Sequence, residues 1–107
     1  MAKTVRLRQL ATTDLDEPSE YYRHEVGEHT ARDFIDAGER GMSRISRSPL
    51  VGSVQFAYEL AIPDLRAWPL RRFPYVVFYV VSDHEIDVWR ILDTRRDLPA
   101  TLQPPET

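Results

Sequence analysis

The feature that most restricts the fold is a run of seven apolar and aromatic residues, Tyr75-Val76-Val77-Phe78-Tyr79-Val80-Val81. Valine, phenylalanine and tyrosine suit a pleated surface, and the run is far shorter than the roughly 20 residues that cross a bilayer as a helix. It reads as a strand. Ser82-Asp83-His84-Glu85 offers a turn, and Ile86-Asp87-Val88-Trp89-Arg90-Ile91-Leu92 returns as the partner of a hairpin. Both strands are apolar on two faces, which puts them at the centre of a sheet. Regular alternation sets Arg90 with Ile86, Val88 and Leu92, opposite Trp89 and Ile91. An arginine in such company needs a buried partner or an edge from which to reach water, so a structural ion pair with an acid of the helices is expected.

Upstream, Val5, Leu7 and Gln9 alternate with Arg6, Arg8 and Leu10, a short first strand. Thr12-Thr13-Asp14 holds several helix-capping residues, and Leu15, Tyr21, Tyr22 and Val26 follow at near-helical spacing. A first helix is expected over about 14–26, ended by Gly27, with Pro18 in its first turn or at a kink. Thr30 and Asp33 form a weak capping box. Ala31, Phe34, Ile35, Gly38, Met42 and Ile45 give one apolar stripe to a second helix, over about 30–46. Gly38 and Gly41 each cost on the order of 1 kcal/mol in a helix, so they are expected where a neighbour packs close. Ser48-Pro49-Leu50-Val51-Gly52 breaks the pattern, and the two helices form a hairpin. Val54–Leu60 reads as extended, Pro63-Asp64 as a turn, and Leu65–Leu70 as a short strand that Pro69 confines to an edge.

These elements add up to an α+β fold: a small antiparallel sheet in the order β-α-α-β-β-β, with the helix hairpin packed on one face. A chain of 107 residues fits one domain. It is read over residues 1–98, and Pro99, Pro104 and Pro105 mark 99–107 as a loose tail. The absence of cysteine excludes disulfides, thiolate metal sites and thiol catalysis. Met1-Ala2-Lys3-Thr4-Val5-Arg6 has no apolar core of a secretory signal, so a cytoplasmic location is expected.

The net charge of -3 is unevenly spread. Residues 11–40 hold nine acids against three arginines, while residues 65–82 hold Arg66, Arg71 and Arg72 without an acid, and Arg90, Arg95 and Arg96 follow. The arginine-rich half permits a patch for an acidic partner, whereas a general nucleic-acid binder would be basic overall. No glycine-rich phosphate loop exists, since the four glycines are scattered. His24 and His29 stand five apart across Gly27, and His84 falls in the hairpin turn, so all three read as surface histidines and no metal or cofactor is expected. The carboxylates of residues 14–39 read as solvated helix faces, and no catalytic residue is assigned. Tyr21 and Tyr22 are adjacent, so only one of them can fully face the core. Packing is the first reading for both, with one of them near the helix flank, and also for Trp68 and Trp89 on the strands; exposure of either tryptophan would suggest a partner groove. If the last hairpin is regular, Arg95 and Arg96 leave the sheet beside Arg71 and Arg72, a cluster suited to carboxylates or phosphates.

Three stretches carry a family resemblance. They are Asp14-Leu15-Asp16-Glu17 with Tyr21-Tyr22, then Leu65-Arg66-Ala67-Trp68-Pro69-Leu70-Arg71-Arg72-Phe73-Pro74-Tyr75-Val76-Val77-Phe78-Tyr79, then Ile86-Asp87-Val88-Trp89-Arg90-Ile91-Leu92-Asp93-Thr94-Arg95-Arg96-Asp97. In these the chain resembles the RelE/ParE superfamily of bacterial type II toxins, nearer the ParE branch, over about residues 3–98. The resemblance implies a twisted antiparallel sheet with two N-terminal helices on one face, and a cytoplasmic toxin neutralised by a cognate ParD-like antitoxin. RelE-like members cleave messenger RNA on the ribosome; ParE-like members inhibit DNA gyrase. Arg95 matches the exit arginine of the ribonucleases, but Val76 stands where the family often has Arg, Ala67 and Pro69 fall near positions that are Lys in some ribonuclease members, and no Tyr or His follows Arg96. Asp93 replaces a histidine common in relatives. The implied function is therefore gyrase inhibition without catalysis, with ribosome-dependent messenger RNA cleavage, or an attenuated member that mainly binds antitoxin, as the alternatives. Arg71, Arg72, Arg90, Arg95 and Arg96 are the candidates for target binding, and Tyr21, Tyr22, Trp68 and Trp89 for antitoxin binding.

Overall fold

Residues 2–104 are described by a computed structural model; Pro105, assigned above to the tail, lies outside them. In chain order the elements are β1 (Thr4–Leu7), α1 (Gln9–Glu25), α2 (Glu28–Arg47), a 3₁₀ turn (Pro49–Val51), α3 (Gln55–Glu59), β2 (Arg66–Pro69), β3 (Tyr75–Val81), β4 (Glu85–Asp93) and α4 (Leu98–Thr101). The strands form one sheet in the order β1-β4-β3-β2, so the two strands apolar on both faces are central and the proline-bearing β2 is an edge. The α+β class and the helix hairpin on one face are as expected. One pairing differs: β2/β3 and β3/β4 are antiparallel, but β1 runs parallel to β4, with Thr4 opposite Glu85 and Leu7 opposite Val88. A parallel pair needs a long crossover, and here the whole chain between β1 and β4 supplies it.

The regular alternation expected along β4 is broken by a bulge. Phe78 pairs with Arg90 but Tyr79 pairs with Val88, which leaves Trp89 as an extra residue. Ile91 therefore joins Ile86 and Val88 on the helix-hairpin face, in a core with Ala11, Phe34, Ile45, Val77 and Tyr79. Leu92 and Trp89 turn to the other face, with Val76, Phe78, Ile62 and Leu65.

That second apolar face explains two further departures. Val54–Leu60, expected to be extended, contains the short helix α3, whose Phe56 and Ala57 pack on this face together with Leu60. The described part of the expected loose tail, residues 99–104, is anchored: α4 folds back and Leu102 is buried in the same cluster. A sheet apolar on both sides must be covered on both, and among the described residues these segments cover the second.

α1 begins at Gln9, earlier than the capping residues suggested, because the Thr12 N–H bonds to the Arg8 carbonyl without any side-chain cap. It runs through Pro18, which sits mid-helix rather than in the first turn, at the loss of one backbone donor. The two helix glycines mark close approaches as expected: an added Cβ would come 3.3 Å from Leu15 Cδ2 at Gly38 and 2.9 Å from Leu70 Cδ2 at Gly41. On the same face of the sheet the buried Tyr79 hydroxyl donates to the Pro49 carbonyl (2.7 Å) and accepts from the Gly52 N–H (2.9 Å), pinning the 3₁₀ turn to β3.

Candidate functional site at the arginine-rich end of the sheet

Tyr75 opens β3 opposite Asp93 at the end of β4, and the Thr94 N–H continues the pairing to the Pro74 carbonyl at 2.8 Å. This register sends the β2–β3 connection and the exit of β4 out of the same end of the sheet. Arg71, Arg72, Arg95 and Arg96 are all exposed there. Two of them line clefts, and different ones: Arg71 faces α2, and Arg96 lines a cleft of about 290 Å³ with Asp14, Glu17, Tyr21, Tyr75 and Asp93.

Asp93 is committed within this end. Its Oδ1 accepts from both the Arg95 backbone N–H and Arg95 Nε, each at 2.9 Å. Hydrogen bonding from the Arg95 side chain, against a smaller opposing effect of burial, holds the Asp93 carboxyl below the usual carboxylate range. Arg95 is raised in turn, chiefly by the same bond. Tyr75, next to Asp93 and Tyr22, is pushed up to about 12, first by burial.

Arg90 stands apart from the other four arginines. Its Nε and Nη2 donate to Asp14 Oδ2 and Oδ1 at 2.7 and 2.9 Å, and its Nη1 reaches the Thr101 carbonyl at 3.4 Å. Asp14 Oδ2 also accepts the Ile91 N–H at 2.9 Å. β1 ends opposite Val88, so beyond that point the edge of β4 has no strand beside it, and Asp14 of α1 takes the place of one. The ion pair with a helix acid is thus present, and Arg90, its side chain only 16% exposed, is a strut joining α1, β4 and α4 rather than a surface contact.

The four aromatic candidates do not form one surface. Tyr22 packs inward, with ring centroids 5.5 Å from Phe34 and 5.4 Å from Phe73, while its neighbour Tyr21 is 62% exposed. Trp68 is half-buried at the helix-hairpin face, where the Arg44 guanidinium lies 5.9 Å from its ring centroid. Trp89 packs on the opposite face, and its buried Nε1 has no hydrogen-bond partner among the described residues. Three arginines missed in the sequence reading, Arg40, Arg44 and Arg47, line a groove with Trp68 and Arg71. Their four- and three-residue spacing was a visible signal for a common helix face.

The histidines lie on the surface: His24 and His29 stand 3.6 and 3.5 Å from Glu20 and Asp33 on the helices, and His84 is exposed between β3 and β4. Among the described residues no three metal-ligating side chains converge, and no helix is long and apolar enough to cross a membrane. What the site offers is fixed cations beside a committed carboxylate.

Among proteins of curated function no sequence relative is found. A solved structure titled as the chromosomal ParDE TA system from P. aeruginosa shares the fold, with a TM-score of 0.71 at 20% identity, covering 84% of this chain and 94% of that one. The sequence profile described as the ParE toxin of type II toxin-antitoxin system, parDE, matches residues 5–98, from β1 to the start of α4. The chain therefore belongs to the ParE toxin family of type II toxin-antitoxin systems.

Proposed function

We propose that this toxin binds and inhibits DNA gyrase in the cytoplasm, does not cut RNA, and is neutralised by a cognate ParD-like antitoxin. The observation that carries the reading is the state of Asp93. Cleavage of RNA needs a base for the 2'-hydroxyl, an acid for the leaving oxygen and cations for the phosphate. At the β4 exit the carboxylate is Asp93, and its hydrogen bonds from Arg95 weaken it as a base. Tyr75, pushed up to about 12, is a neutral phenol at pH 7. Arg95 and Arg96 stay protonated and supply charge alone. Of the other carboxylates of this cleft, Asp14 is taken by Arg90 and Glu17 is exposed on the helix surface. Cations beside carboxylates that arginines already hold support binding over proton transfer. Arg71, Arg72, Arg95 and Arg96 are exposed and suited to a target surface; Arg90 acts through the fold. Of the aromatic candidates, exposed Tyr21 and half-buried Trp68 are the best placed for an antitoxin. Tyr22 and Trp89 contribute mainly as packing.

The test is purified protein assayed in parallel for gyrase supercoiling and for ribosome-dependent messenger RNA cleavage. Loss of supercoiling without cleavage is expected, and replacing Arg95 and Arg96 together is expected to abolish toxicity while antitoxin binding persists. Codon-positioned cuts that vanish on Asp93→Asn would overturn the reading in favour of the ribonuclease. Antitoxin binding with neither activity would assign an attenuated toxin.

A further inference from the structure

Arg40, Arg44 and Arg47 share one face of α2, and Gly41 lies within it. A Cβ at Gly41 would stand 2.9 Å from Leu70 and 3.9 Å from Trp68, so the helix lies tight against the end of β2. An open groove of about 460 Å³ remains along this contact, with Trp68 and Leu70 in its floor and the three α2 arginines and Arg71 around it. No carboxylate lines it. None of the four arginines has an ion-pair partner among the described residues, whereas six others do: Arg6, Arg8, Arg23, Arg32, Arg90 and Arg95. Arg44 and Arg47 have a structural reason to be there, since they stand in the last turn of α2, where cations offset the carbonyl end of the helix. Arg40 and Arg71 have no such reason. Four like charges around one groove repel one another until an anion enters.

We propose that this groove docks an acidic polypeptide segment, whose carboxylates pair with Arg40, Arg44, Arg47 and Arg71 while an apolar side chain rests on Trp68 and Leu70. Guanidinium groups hold carboxylates in paired hydrogen bonds, and the Trp68 ring gives an apolar surface already flanked by Arg44. A nucleic acid fits less well. The chain is net -3, and α2 itself carries Asp33, Asp36 and Glu39, which would repel a long polyanion beyond the groove. The segment must also be held by side chains rather than by strand addition. On the outer edge of β2 the Ala67 N–H and carbonyl are both taken by Ser53 at 2.9 Å, and Pro69 has no N–H to give. The groove shares Arg71 with the surface proposed for the target and Trp68 with that proposed for the antitoxin, but it holds neither Arg95 nor Arg96, so its failure to bind an acidic segment would leave the gyrase assignment, tested through those two residues, standing.

The test uses the full chain and fluorescence polarisation of three labelled probes of equal length: a Glu-Glu-Leu repeat, its Gln-Gln-Leu counterpart and an oligothymidylate. The acidic repeat is expected to bind, the amide repeat not, and the oligothymidylate more weakly than the acidic peptide. Arg40→Glu with Arg71→Glu is expected to weaken the acidic probe by about tenfold or more, whereas Arg40→Lys with Arg71→Lys retains most of the binding. Arg6→Glu with Arg32→Glu, matched in net charge, is expected to have a much smaller effect. Circular dichroism establishes that each variant is folded. Equal binding of the amide repeat, tighter binding of the oligothymidylate, or an equal loss in the charge-matched control would each overturn the proposal.

Discussion

Asp14 shows how much of this fold can hang on one side chain. Its two oxygens take the Arg90 guanidinium and the Ile91 backbone N–H, closing the edge of β4 that β1 leaves open. Replacing it with alanine strands a mostly buried guanidinium and an unmade backbone bond together. Removal of one partner from a buried pair costs about 3–5 kcal/mol, and partial exposure of this one lowers the expectation to about 2–4 kcal/mol. Asp14→Asn, which keeps an acceptor for Ile91, is expected to lose less. Urea denaturation measures both; a loss under about 1 kcal/mol for Asp14→Ala would mean that Arg90 finds water instead. The need for such a pair was legible in the apolar setting of Arg90, but its partner was not. Nine acids lie in residues 11–40, and only the position of α1 beside β4 singles out Asp14. The site shows the same limit. Arg95 and Arg96 were visible as a pair, yet the commitment of Asp93 to Arg95 depends on how the chain turns as it leaves the sheet.

Local pattern was a good guide to elements whose residues face one environment and a poor guide where the environment is supplied from far along the chain. β3, β4 and α2 are close to what their runs and stripe predicted. The bulge at Trp89 was hidden, because a β-branched and aromatic run reads the same with or without an extra residue. α3 and α4 were missed for a different reason. Each has a single turn or little more, too short for a periodic signal, and each is held by the apolar second face of the sheet rather than by intrinsic propensity. α4 makes this testable. Asp97 accepts the Ala100 N–H at 3.3 Å, and one turn later Leu102 is 2% exposed. Leu102→Ala is expected to cost about 2–4 kcal/mol, as for other buried leucines. A loose tail would show almost no effect in the same thermal or urea titration.

At the scale of the whole molecule, the sheet divides the core into two layers that differ in cover. The helix hairpin lies over one side, and α3 with the α4 segment over the other. The order of elements was enough to anticipate the first layer, and the doubly apolar strands implied a second without saying what formed it. The two tryptophans report on the two layers separately, since Trp68 packs with the first and Trp89 with the second. A single domain of this size ordinarily unfolds in one step, and β3 and β4 belong to both layers through alternate side chains, so neither layer can loosen without disturbing the other. Trp68→Phe leaves Trp89 as the sole indole, and Trp89→Phe leaves Trp68. The variants need not share a midpoint, because Trp89→Phe also removes a buried N–H without a partner and can gain stability by it. Each must therefore be compared with its own far-ultraviolet circular dichroism. In both, the fluorescence and dichroism transitions are expected to coincide in urea. If Trp89 fluorescence changed at a lower urea concentration than the dichroism of the same variant, the α3 and α4 side would be a separately unfolding layer, and the single cooperative core inferred from the shared strands would be wrong.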